Sequence, residues 1–372
     1  MELYILHLPV NIHPLSTACF YFTIFPHYYS CGMIYRSKAP LRIGLAGGGT
    51  DVSPYCDLYG GAILNATISL YAYATIELLK IPEVIIEAID RKEVATFSLA
   101  DSLPIDGNLD LAKGVYNRIV AEHGPLPSGF KLTTYVDAPA GSGLGTSSTL
   151  TVAILGAFAE WLRLPLGDYD MAHMAYEVER LELRMAGGKQ DQYAATFGGV
   201  NFMEFYSNDK VIVNPLRIKP KYLYELENNL LLYFTATSRL SSTIIEAQSR
   251  NVVDKNQQSI EAMHQLKEQS RMMKEAMLRG HVDEIGPILD FGFRYKKQMA
   301  SGISNSMMDE MYESALAAGA TGGKISGAGG GGFMMFYCPA NTSYKVREAL
   351  SQFGGVLRPY QFTERGLFAW SI

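Results

Sequence analysis

The chain has 372 residues, of which 48% are hydrophobic and 19% are charged, and its formal net charge is −5 at pH 7. This composition excludes an intrinsically disordered protein, and the length is sufficient for two domains with separate cores. The negative charge gives no general basis for binding nucleic acid, although a local basic pocket could still hold a small phosphorylated molecule.

The first 32 residues differ from the rest of the chain. They contain no Lys or Arg, and prolines at positions 9, 14 and 26 interrupt their apolar runs. A secretory signal needs a basic start, and a membrane helix needs about 18 to 20 apolar residues, so we expect no membrane association. Because Met33 directly precedes a well-patterned strand, we interpret residues 1–33 as an extension upstream of the true start. A real N-terminal strand or arm is the alternative.

The spacing of the cysteines suggests neither zinc binding nor disulfide bonds. Cys19, Cys31, Cys56 and Cys338 show no Cys-x-x-Cys spacing and no neighbouring histidine cluster. This pattern favours neither a zinc site nor a disulfide framework. We interpret Cys56 and Cys338 as core residues of a cytoplasmic enzyme.

A strand is predicted over residues 34–45, and it carries Arg42 between apolar positions. An unpaired guanidinium would be costly there, so Arg42 should face a carboxylate or a phosphate; a surface arginine on an edge strand is the alternative. Three glycines, residues 47–49, follow the strand. They allow Asp51 to project toward a ligand, although an aspartate in this position also serves as a turn or cap residue.

Further strands are predicted at residues 62–64, 71–76, 84–89 and 94–98, and a helix is predicted at residues 111–122. No periodic repeat is visible. The pattern therefore predicts an α+β fold for this half of the chain.

A glycine-rich loop follows a predicted strand at residues 131–136 and precedes an apolar helical pattern that starts near Leu150. Alternate glycines let the loop bring its N–H groups close to a ligand, and the helix start favours an anion, most often phosphate. Hydroxyl groups at the end of the loop could supply oxygen to Mg²⁺. The loop is neither Gly-x-Gly-x-x-Gly nor a Walker motif, so by itself it could be a flexible connection. Its residues are Pro139, Ala140, Gly141, Ser142, Gly143, Leu144, Gly145, Thr146, Ser147 and Ser148.

A helix is predicted from Asp168 or Asp170 to Met185, ending at the glycine pair 187–188. Glu179 lies beside its apolar stripe, whereas Glu182, one turn further on, is interpreted as part of a solvated face. The polar residues 189–193 follow and suggest a site more than a linker. The stripe consists of Met171, Met174, Val178, Leu181 and Met185.

In the second half, a buried strand is predicted at residues 230–234, followed by a polar loop that contains Arg239. Residues 243–280 and 307–318 have helical patterns, and the four methionines of the first should face the core. The segment 327–332 contains four consecutive glycines before another strand, which indicates a close approach of backbone to backbone or of backbone to ligand. The four methionines are Met263, Met272, Met273 and Met277.

Taken together, these stretches resemble one superfamily, that of the galactokinase, homoserine kinase, mevalonate kinase and phosphomevalonate kinase enzymes (GHMP kinases). A proline-led strand with a cation, the loop 139–148 and the loop 327–332 occur in the superfamily's order, and the resemblance covers nearly all of the chain after Met33. It implies an α+β fold with a ribosomal S5-like N-terminal domain, residues 34–215, and a ferredoxin-like C-terminal domain, residues 216–372. The ligands would be ATP, Mg²⁺ and a small-molecule acceptor.

The same resemblance assigns roles to residues. The loop 139–148 would wrap the triphosphate of ATP, and Ser147 with Glu179 would hold Mg²⁺, with Glu182 as the alternative acidic ligand. Asp191 would be the catalytic base and Arg42 the basic residue paired with it. The acceptor would contact Asp51, which would bind sugar hydroxyls, and the loop around it. Basic residues, called the distal phosphate clamp here, would bind a phosphate at the far end of the sugar. The glycine-rich segment 327–332 would close the site. These substrate residues are Gly48, Gly49, Thr50, Asp51, Lys189, Arg239, Gly329 and Gly330, with Arg184 as a further clamp candidate.

Within the superfamily, the stretches 39–51 and 187–193 look most like the D-glycero-D-manno-heptose 7-phosphate kinases, which phosphorylate the anomeric hydroxyl. The Gly-Glu-His-Thr-Asp motif of galactokinases is replaced by Gly48-Gly49-Thr50-Asp51, which argues against galactose. L-fucose kinase or another sugar 1-kinase is the nearest alternative, and a mevalonate or homoserine kinase is another. A non-catalytic ATP and sugar sensor is the alternative of a different class. A monomer and a homodimer fit the sequence equally.

Overall fold

The computed structural model describes residues 32–236 and 241–372. The proposed extension therefore lies almost wholly outside the described residues, as do Cys19, Cys31 and the clamp candidate Arg239.

The larger sheet has eight strands, and most neighbouring pairs are antiparallel. The order β12-β1-β2-β5-β3-β4 forms its main path, and β6 pairs with both β2 and β7. Among the strands of the described residues, β3 and β5 are the one parallel pair. The strands are β1 (Ile34–Ala46), β2 (Gly61–Leu79), β3 (Glu83–Ala88), β4 (Glu93–Ser98), β5 (Gly129–Val136), β6 (Val200–Phe205), β7 (Val211–Pro215) and β12 (Phe368–Ser371).

Strand β2 is the longest strand of this sheet and joins the two predicted segments 62–64 and 71–76 into one element. Its first part pairs with β6 and its second part with β5, while β1 runs along its other edge. The first eight residues of β2 are buried, including the polar Asn65 and Thr67, so both faces of the sheet are covered there.

A second sheet of four strands has the order β11-β8-β10-β9. It consists of β8 (Leu230–Phe234), β9 (Gly322–Ile325), β10 (Phe333–Tyr337) and β11 (Val356–Leu357), and its neighbouring strands are antiparallel. The last strand of the chain, β12, returns to β1 of the larger sheet. Two sheets with helices confirm the α+β class, and the domain boundary near residue 215 stays a prediction.

Eleven α-helices occur in the described part of the chain, and the buried α3 packs on β1 and β2. They are α1 (Tyr55–Tyr59), α2 (Asp110–His123), α3 (Thr146–Leu162), α4 (Asp168–Tyr176), α5 (Gln190–Phe197), α6 (Pro220–Asn229), α7 (Ser241–Val253), α8 (Gln257–Arg279), α9 (Ile285–Met299), α10 (Ser306–Ala317) and α11 (Ser343–Ser351). A 3₁₀ turn spans Val282–Glu284. None of the helices in the described ranges is both long and apolar enough to cross a bilayer.

The prediction of one α-helix through Met185 is wrong. Helix α4 ends at Tyr176, and a π-helical segment spans Glu177–Glu182. Met171, Met174 and Val178 of the predicted stripe are buried, whereas Leu181 is 56% exposed and Met185, which lies beyond the π-helical segment, is also exposed. The consequence of this segment for the site is described below.

The methionines of α8 follow the prediction with one exception. Met263, Met273 and Met277 are buried, whereas Met272 is 38% exposed because it projects from the outer face of the helix. Cys56 and Cys338 are buried thiols, as predicted.

Candidate active site

The residues 139–148, called the glycine loop here, form one wall of a cleft of about 520 Å³. Gly141, Gly143 and Gly145 have φ angles of 73°, 81° and 78°, which residues with a Cβ rarely adopt. Helix α3 begins directly after Gly145, so the free N–H groups of its first turn lie at this wall. The wall therefore suits an anion such as a phosphate.

The second glycine loop, residues 327–332, packs backbone against backbone on the first. Ser326 Oγ donates to the carbonyl of Gly143 at 2.8 Å, and Phe333 N donates to the carbonyl of Ser142 at 2.9 Å. A Cβ on Gly143 would lie 2.5 Å from the carbonyl oxygen of Ser326. The predicted close approach is thus confirmed, and it fixes the shape of the glycine loop.

The two loops do not contribute equally to the cleft. Gly327 and Ala328 line it, whereas the substrate candidates Gly329 and Gly330 are buried against Ile303. Gly330 N donates to the Ile303 carbonyl at 2.8 Å. The structure therefore places these two glycines behind the cleft wall.

Arg42 faces a carboxylate, as its position in a buried strand predicted. Its Nε and Nη2 atoms lie 2.6 Å and 2.5 Å from Asp191 Oδ1, and Nη1 donates to the Gly143 carbonyl at 2.7 Å. Arg42 is buried, while 21% of the Asp191 side chain is exposed to the cleft. One guanidinium thus ties a cleft-facing carboxylate to the glycine loop.

A second carboxylate, Glu179, lies fully buried beside the start of α3. Ser147 Oγ donates to Glu179 Oε1 at 2.8 Å, and Gln192 Nε2 donates to Glu179 Oε2 at 2.5 Å. Arg180 Nη1 lies 3.6 Å from Glu179 Oε1 and Arg180 Nη2 donates to Ser148 Oγ at 3.3 Å. This network holds two oxygen donors, Ser147 and Glu179, in one place.

The π-helical segment explains how Glu179 reaches that place. Leu183 N donates to the Val178 carbonyl, five residues back, and this wider turn points Glu179 inward. Glu182 points outward and its carboxylate accepts a bond from Arg118 at 2.7 Å. Of the two acidic candidates, the structure therefore brings Glu179 to Ser147 and keeps Glu182 at the surface.

Asp51 is buried near Asp191 and borders the same cleft. Its Oδ2 accepts the N–H of Gln190 at 3.0 Å, and its Oδ1 has no partner within the described ranges. Burial raises the pKa of the Asp51 carboxyl; the bond from Gln190 N opposes this shift, and the charge of Asp191 adds to it. A Cβ on Gly188 would lie 1.9 Å from Asp51 Oδ2, so the glycine there makes room for this carboxylate.

The residues before Asp51 shape its loop more than they line the cleft. Thr50 is buried and bonds to the carbonyls of Gly47 and Ala62. Gly49 lines the cleft, and the Gly48 carbonyl accepts a bond from Lys296. Thr50 therefore has a structural role, and Gly49, although buried, is the glycine of this loop that lines the cleft.

The candidates for a distal phosphate clamp differ in their surroundings. Lys189 is buried, with its Nζ 2.7 Å from Asp209 Oδ1, so its charge is already compensated. Arg184 is exposed beside the cleft, and its side chain makes no ion pair with any described residue. Its φ of 54° is strained for an arginine. Arg239 lies outside the described residues.

Several residues at the site had no motif to identify them in the sequence. Lys296 of α9 and Gln248 of α7 line the cleft, and Arg250 of α7 lies with Arg184 along an adjoining cavity of about 500 Å³. Lys324 of β9 donates to the Gly44 carbonyl at 2.7 Å behind the cleft. Of these residues, only Lys296 could have been identified from the sequence, because it is a lysine within an apolar helical pattern.

Two family models match the chain. The GHMP kinases N terminal domain matches residues 110–199, and the GHMP kinases C terminal domain matches residues 273–356. The D-glycero-alpha-D-manno-heptose 7-phosphate kinase of Campylobacter jejuni is 46% identical to this chain, over 91% of the chain and 99% of that protein. The chain belongs to the GHMP kinase family.

A solved relative supports the same assignment for this GHMP kinase. A crystal structure described as a D-glycero-D-manno-heptose 1-phosphate kinase from Bacteroides thetaiotaomicron is 48% identical, with a TM-score of 0.78 over 91% of this chain and 99% of that one. The bifunctional fucokinase/GDP-fucose pyrophosphorylase of Arabidopsis thaliana is 27% identical over 85% of this chain and 31% of that protein. The predicted two-domain GHMP kinase fold and the predicted phosphotransferase acting on an alcohol group of a small molecule are confirmed.

Proposed function

We propose that this kinase transfers the γ-phosphoryl group of ATP to the anomeric hydroxyl of D-glycero-D-manno-heptose 7-phosphate and forms the 1,7-bisphosphate. The observation that carries the proposal is the position of Asp191 against the glycine loop. A Cβ on Gly145 would lie only 3.1 Å from Asp191 Cγ. A carboxylate able to receive a proton thus adjoins a wall of N–H groups able to hold phosphates.

The residues of this chain would divide the work as follows. The glycine loop and the first turn of α3 would hold the phosphates of ATP and stabilise the charge that develops during transfer. Asp191 would accept the proton of the acceptor hydroxyl, a contribution typically worth ~10²- to 10⁴-fold in rate. Arg42 would orient that carboxylate, because it binds Asp191 and the Gly143 carbonyl at once.

A magnesium ion that arrives with ATP would fit the oxygen atoms of Ser147 and Glu179. Ser147 Oγ and Glu179 Oε1 lie 2.8 Å apart, and Glu179 is fully buried. Mg²⁺ is commonly bound by one or two protein oxygens, with phosphates and waters completing its octahedron. When bound, the ion would neutralise charge on the phosphates.

The heptose phosphate is preferred as the acceptor on two grounds. The Campylobacter relative is described as acting on it and is 46% identical over nearly the whole chain. In addition, Arg184 and Arg250 are exposed along the cavity that adjoins the cleft, and neither has a carboxylate partner in the described ranges. These two arginines would bind the distal phosphate, since guanidinium groups suit that anion.

The test is a measurement of ADP release with a panel of acceptors. The panel contains the heptose 7-phosphate, the unphosphorylated heptose, L-fucose, galactose and mevalonate, and phosphorus NMR assigns the product linkage. We expect the highest kcat/KM for the 7-phosphate and a new phosphate at the anomeric carbon. A higher kcat/KM for L-fucose would favour the fucokinase alternative, and the absence of turnover with every acceptor would favour a sensor.

One further acceptor belongs in the panel because of the Bacteroides relative, whose description names a heptose 1-phosphate kinase. An acceptor already phosphorylated at the anomeric carbon would have to receive the second phosphate on another hydroxyl. Turnover of the heptose 1-phosphate, but not of the 7-phosphate, would therefore reverse the proposed orientation of the sugar in the cleft.

A further inference from the structure

Lys296 is a buried cation in the cleft wall that the phosphoryl-transfer chemistry above does not use. Its side chain comes from α9, and its Nζ donates to the Gly48 carbonyl at 3.0 Å. No carboxylate of the described chain lies within ion-pair distance of it. An ammonium group has three N–H donors, so two of them remain for another partner. Burial lowers the pKa of Lys296 to about 8, which reflects the incomplete solvation of this group.

Gln248 of α7 is a second buried polar group in the same wall. Its side chain is 1% exposed and lines the cleft, and its Nε2 atom has no hydrogen-bond partner within the described ranges. A buried amide without a partner is unfavourable, and such groups in native proteins generally bind something. Its donor therefore has no partner in the described chain, while the residue that carries it lines the cleft.

These groups converge at Gly49. A Cβ added to Gly49 would lie 3.0 Å from Lys296 Nζ and 3.4 Å from Gln248 Oε1. Asp51, two residues further on, borders the same cleft with its own unpartnered Oδ1. Lys296, Gln248 and Asp51 thus line the same cleft as Asp191, and together they offer two donor groups and one acceptor.

We propose that Lys296, Gln248 and Asp51 together bind the ring hydroxyls of the sugar acceptor. Lys296 Nζ and Gln248 Nε2 donate to hydroxyl oxygens, and Asp51 Oδ1 accepts a hydroxyl proton. Neighbouring hydroxyls of a sugar both donate and accept, which matches this mixed set. A phosphate fits less well, because the Asp51 carboxylate would repel it. The inference rests on the proposed function in requiring a sugar acceptor, and it adds two residues and their roles.

The experiment combines variants with deoxy sugars. Lys296→Met and Gln248→Leu are assayed with the heptose 7-phosphate and with analogues that lack the hydroxyl at C2, C3 or C4. Loss of a hydrogen bond from a charged donor should lower kcat/KM by ~10- to 100-fold in Lys296→Met, and loss of a neutral one by ~3- to 10-fold in Gln248→Leu. On the analogue that lacks the partner hydroxyl, each variant should equal the wild type, and the KM for ATP should not change.

Lys297→Met is the matched control, because Lys297 is the next residue of α9, is exposed, and lies 3.3 Å from Asp309 Oδ1 outside the cleft. Its kinetics should equal those of the wild type, and thermal melting verifies folding of every variant. An equal loss on all analogues, or an increase in the KM for ATP alone, would overturn the proposal and leave Lys296 as a support for the Gly48 carbonyl. If Lys296→Met fails to fold, Gln248→Leu still decides the outcome.

The outcome is separable from that of the proposed function. If the wild type prefers another sugar, the substrate assignment fails. The same comparison of variants, made with deoxy analogues of that sugar, then tests the three residues. If the wild type turns over the 7-phosphate but neither variant discriminates among analogues, only the hydroxyl site fails. Turnover of mevalonate but of no sugar would overturn both.

Discussion

The two sides of the cleft, which we propose bind the nucleotide and the acceptor, are built in different ways. The nucleotide side is made of backbone from two short glycine-rich stretches, and its shape is fixed by contacts such as Phe333 N to the Ser142 carbonyl. The acceptor side is made of side chains that come from β1, the loop after it, α5, α7 and α9. A backbone site depends on a contiguous motif, whereas a side-chain site depends on distant elements meeting correctly. Substitutions on the two sides should therefore affect different kinetic constants.

The largest effect is expected on the acceptor side, from Asp191→Asn. The amide cannot accept the hydroxyl proton, so kcat should fall by at least ~100-fold with a modest change in the KM values. Steady-state kinetics measure this, and Asp168→Asn at the exposed start of α4 is the control. Near-normal turnover would remove Asp191 from its proposed role.

On the nucleotide side, Gly143→Ala should disturb ATP binding. The residue has a φ of 81°, and its new Cβ would lie 2.5 Å from the Ser326 carbonyl oxygen, so the two loops must separate. We expect kcat/KM for ATP to fall by ~10-fold or more and stability to fall by about 1 to 3 kcal/mol. Gly124→Ala is the matched control, because Gly124 has a φ of 83° and open space around it. Equal losses of activity in both variants would show that backbone strain, and not the contact between the two glycine loops, causes the loss in Gly143→Ala.

The variant Arg184→Ala tests whether a separate residue of the acceptor side binds the distal phosphate of the sugar. Removal of a charged bond to the distal phosphate should raise the KM for a phosphorylated sugar by ~10-fold and leave the KM for the unphosphorylated sugar unchanged. Arg163→Ala is the matched control, since Arg163 also has a positive φ and is exposed at the end of α3. An equal increase for both sugars would exclude Arg184 from the clamp.

The smallest effect is expected for the free energy of unfolding, on substitution of Lys324 behind the cleft. Burial, with the charges of Lys296 and Arg42, lowers the pKa of Lys324 from 10.5 to about 7. Between these values the unfolded chain binds more protons than the folded one, so the contribution of this lysine becomes less favourable as the pH falls from 10.5 to 7. Lys324→Met should remove that penalty. Its unfolding free energy relative to the wild type, measured in urea, should be higher at pH 7 than at pH 9. A difference independent of pH would contradict the assignment.

Local patterns predicted many of the elements, because strand and helix periodicities depend on the faces that each element buries. The strand 34–45 is β1, the pattern at 111–122 is α2, and the loop that starts at residue 139 follows β5 as expected, although α3 begins at Thr146, earlier than the predicted start near Leu150. The pairing of Arg42 with a carboxylate followed from the cost of an unpaired buried charge. That its partner is Asp191 came from the family resemblance and is seen in the structure at 2.6 Å.

The π-helical segment is the clearest failure of pattern reading. A regular α-helix would keep Leu181 and Met185 on the buried stripe, but the wider turn exposes them and buries Glu179. A period of 3.6 residues cannot reveal such a local change, because the network of Ser147, Gln192 and Glu179 that surrounds it comes from three separate elements.

The sequence by itself determined the backbone features of this protein: the strand, loop and helix of the nucleotide side, the second glycine loop, and the charged residue in β1. These follow from neighbouring residues, whose conformational limits act locally. The tertiary structure alone decided that Lys296 and Gln248 meet at Gly49, that Lys189 pairs with Asp209, and that Glu179 rather than Glu182 reaches Ser147. Such contacts join residues far apart in the chain, and their energies depend on burial and distance, which exist only once the chain has folded.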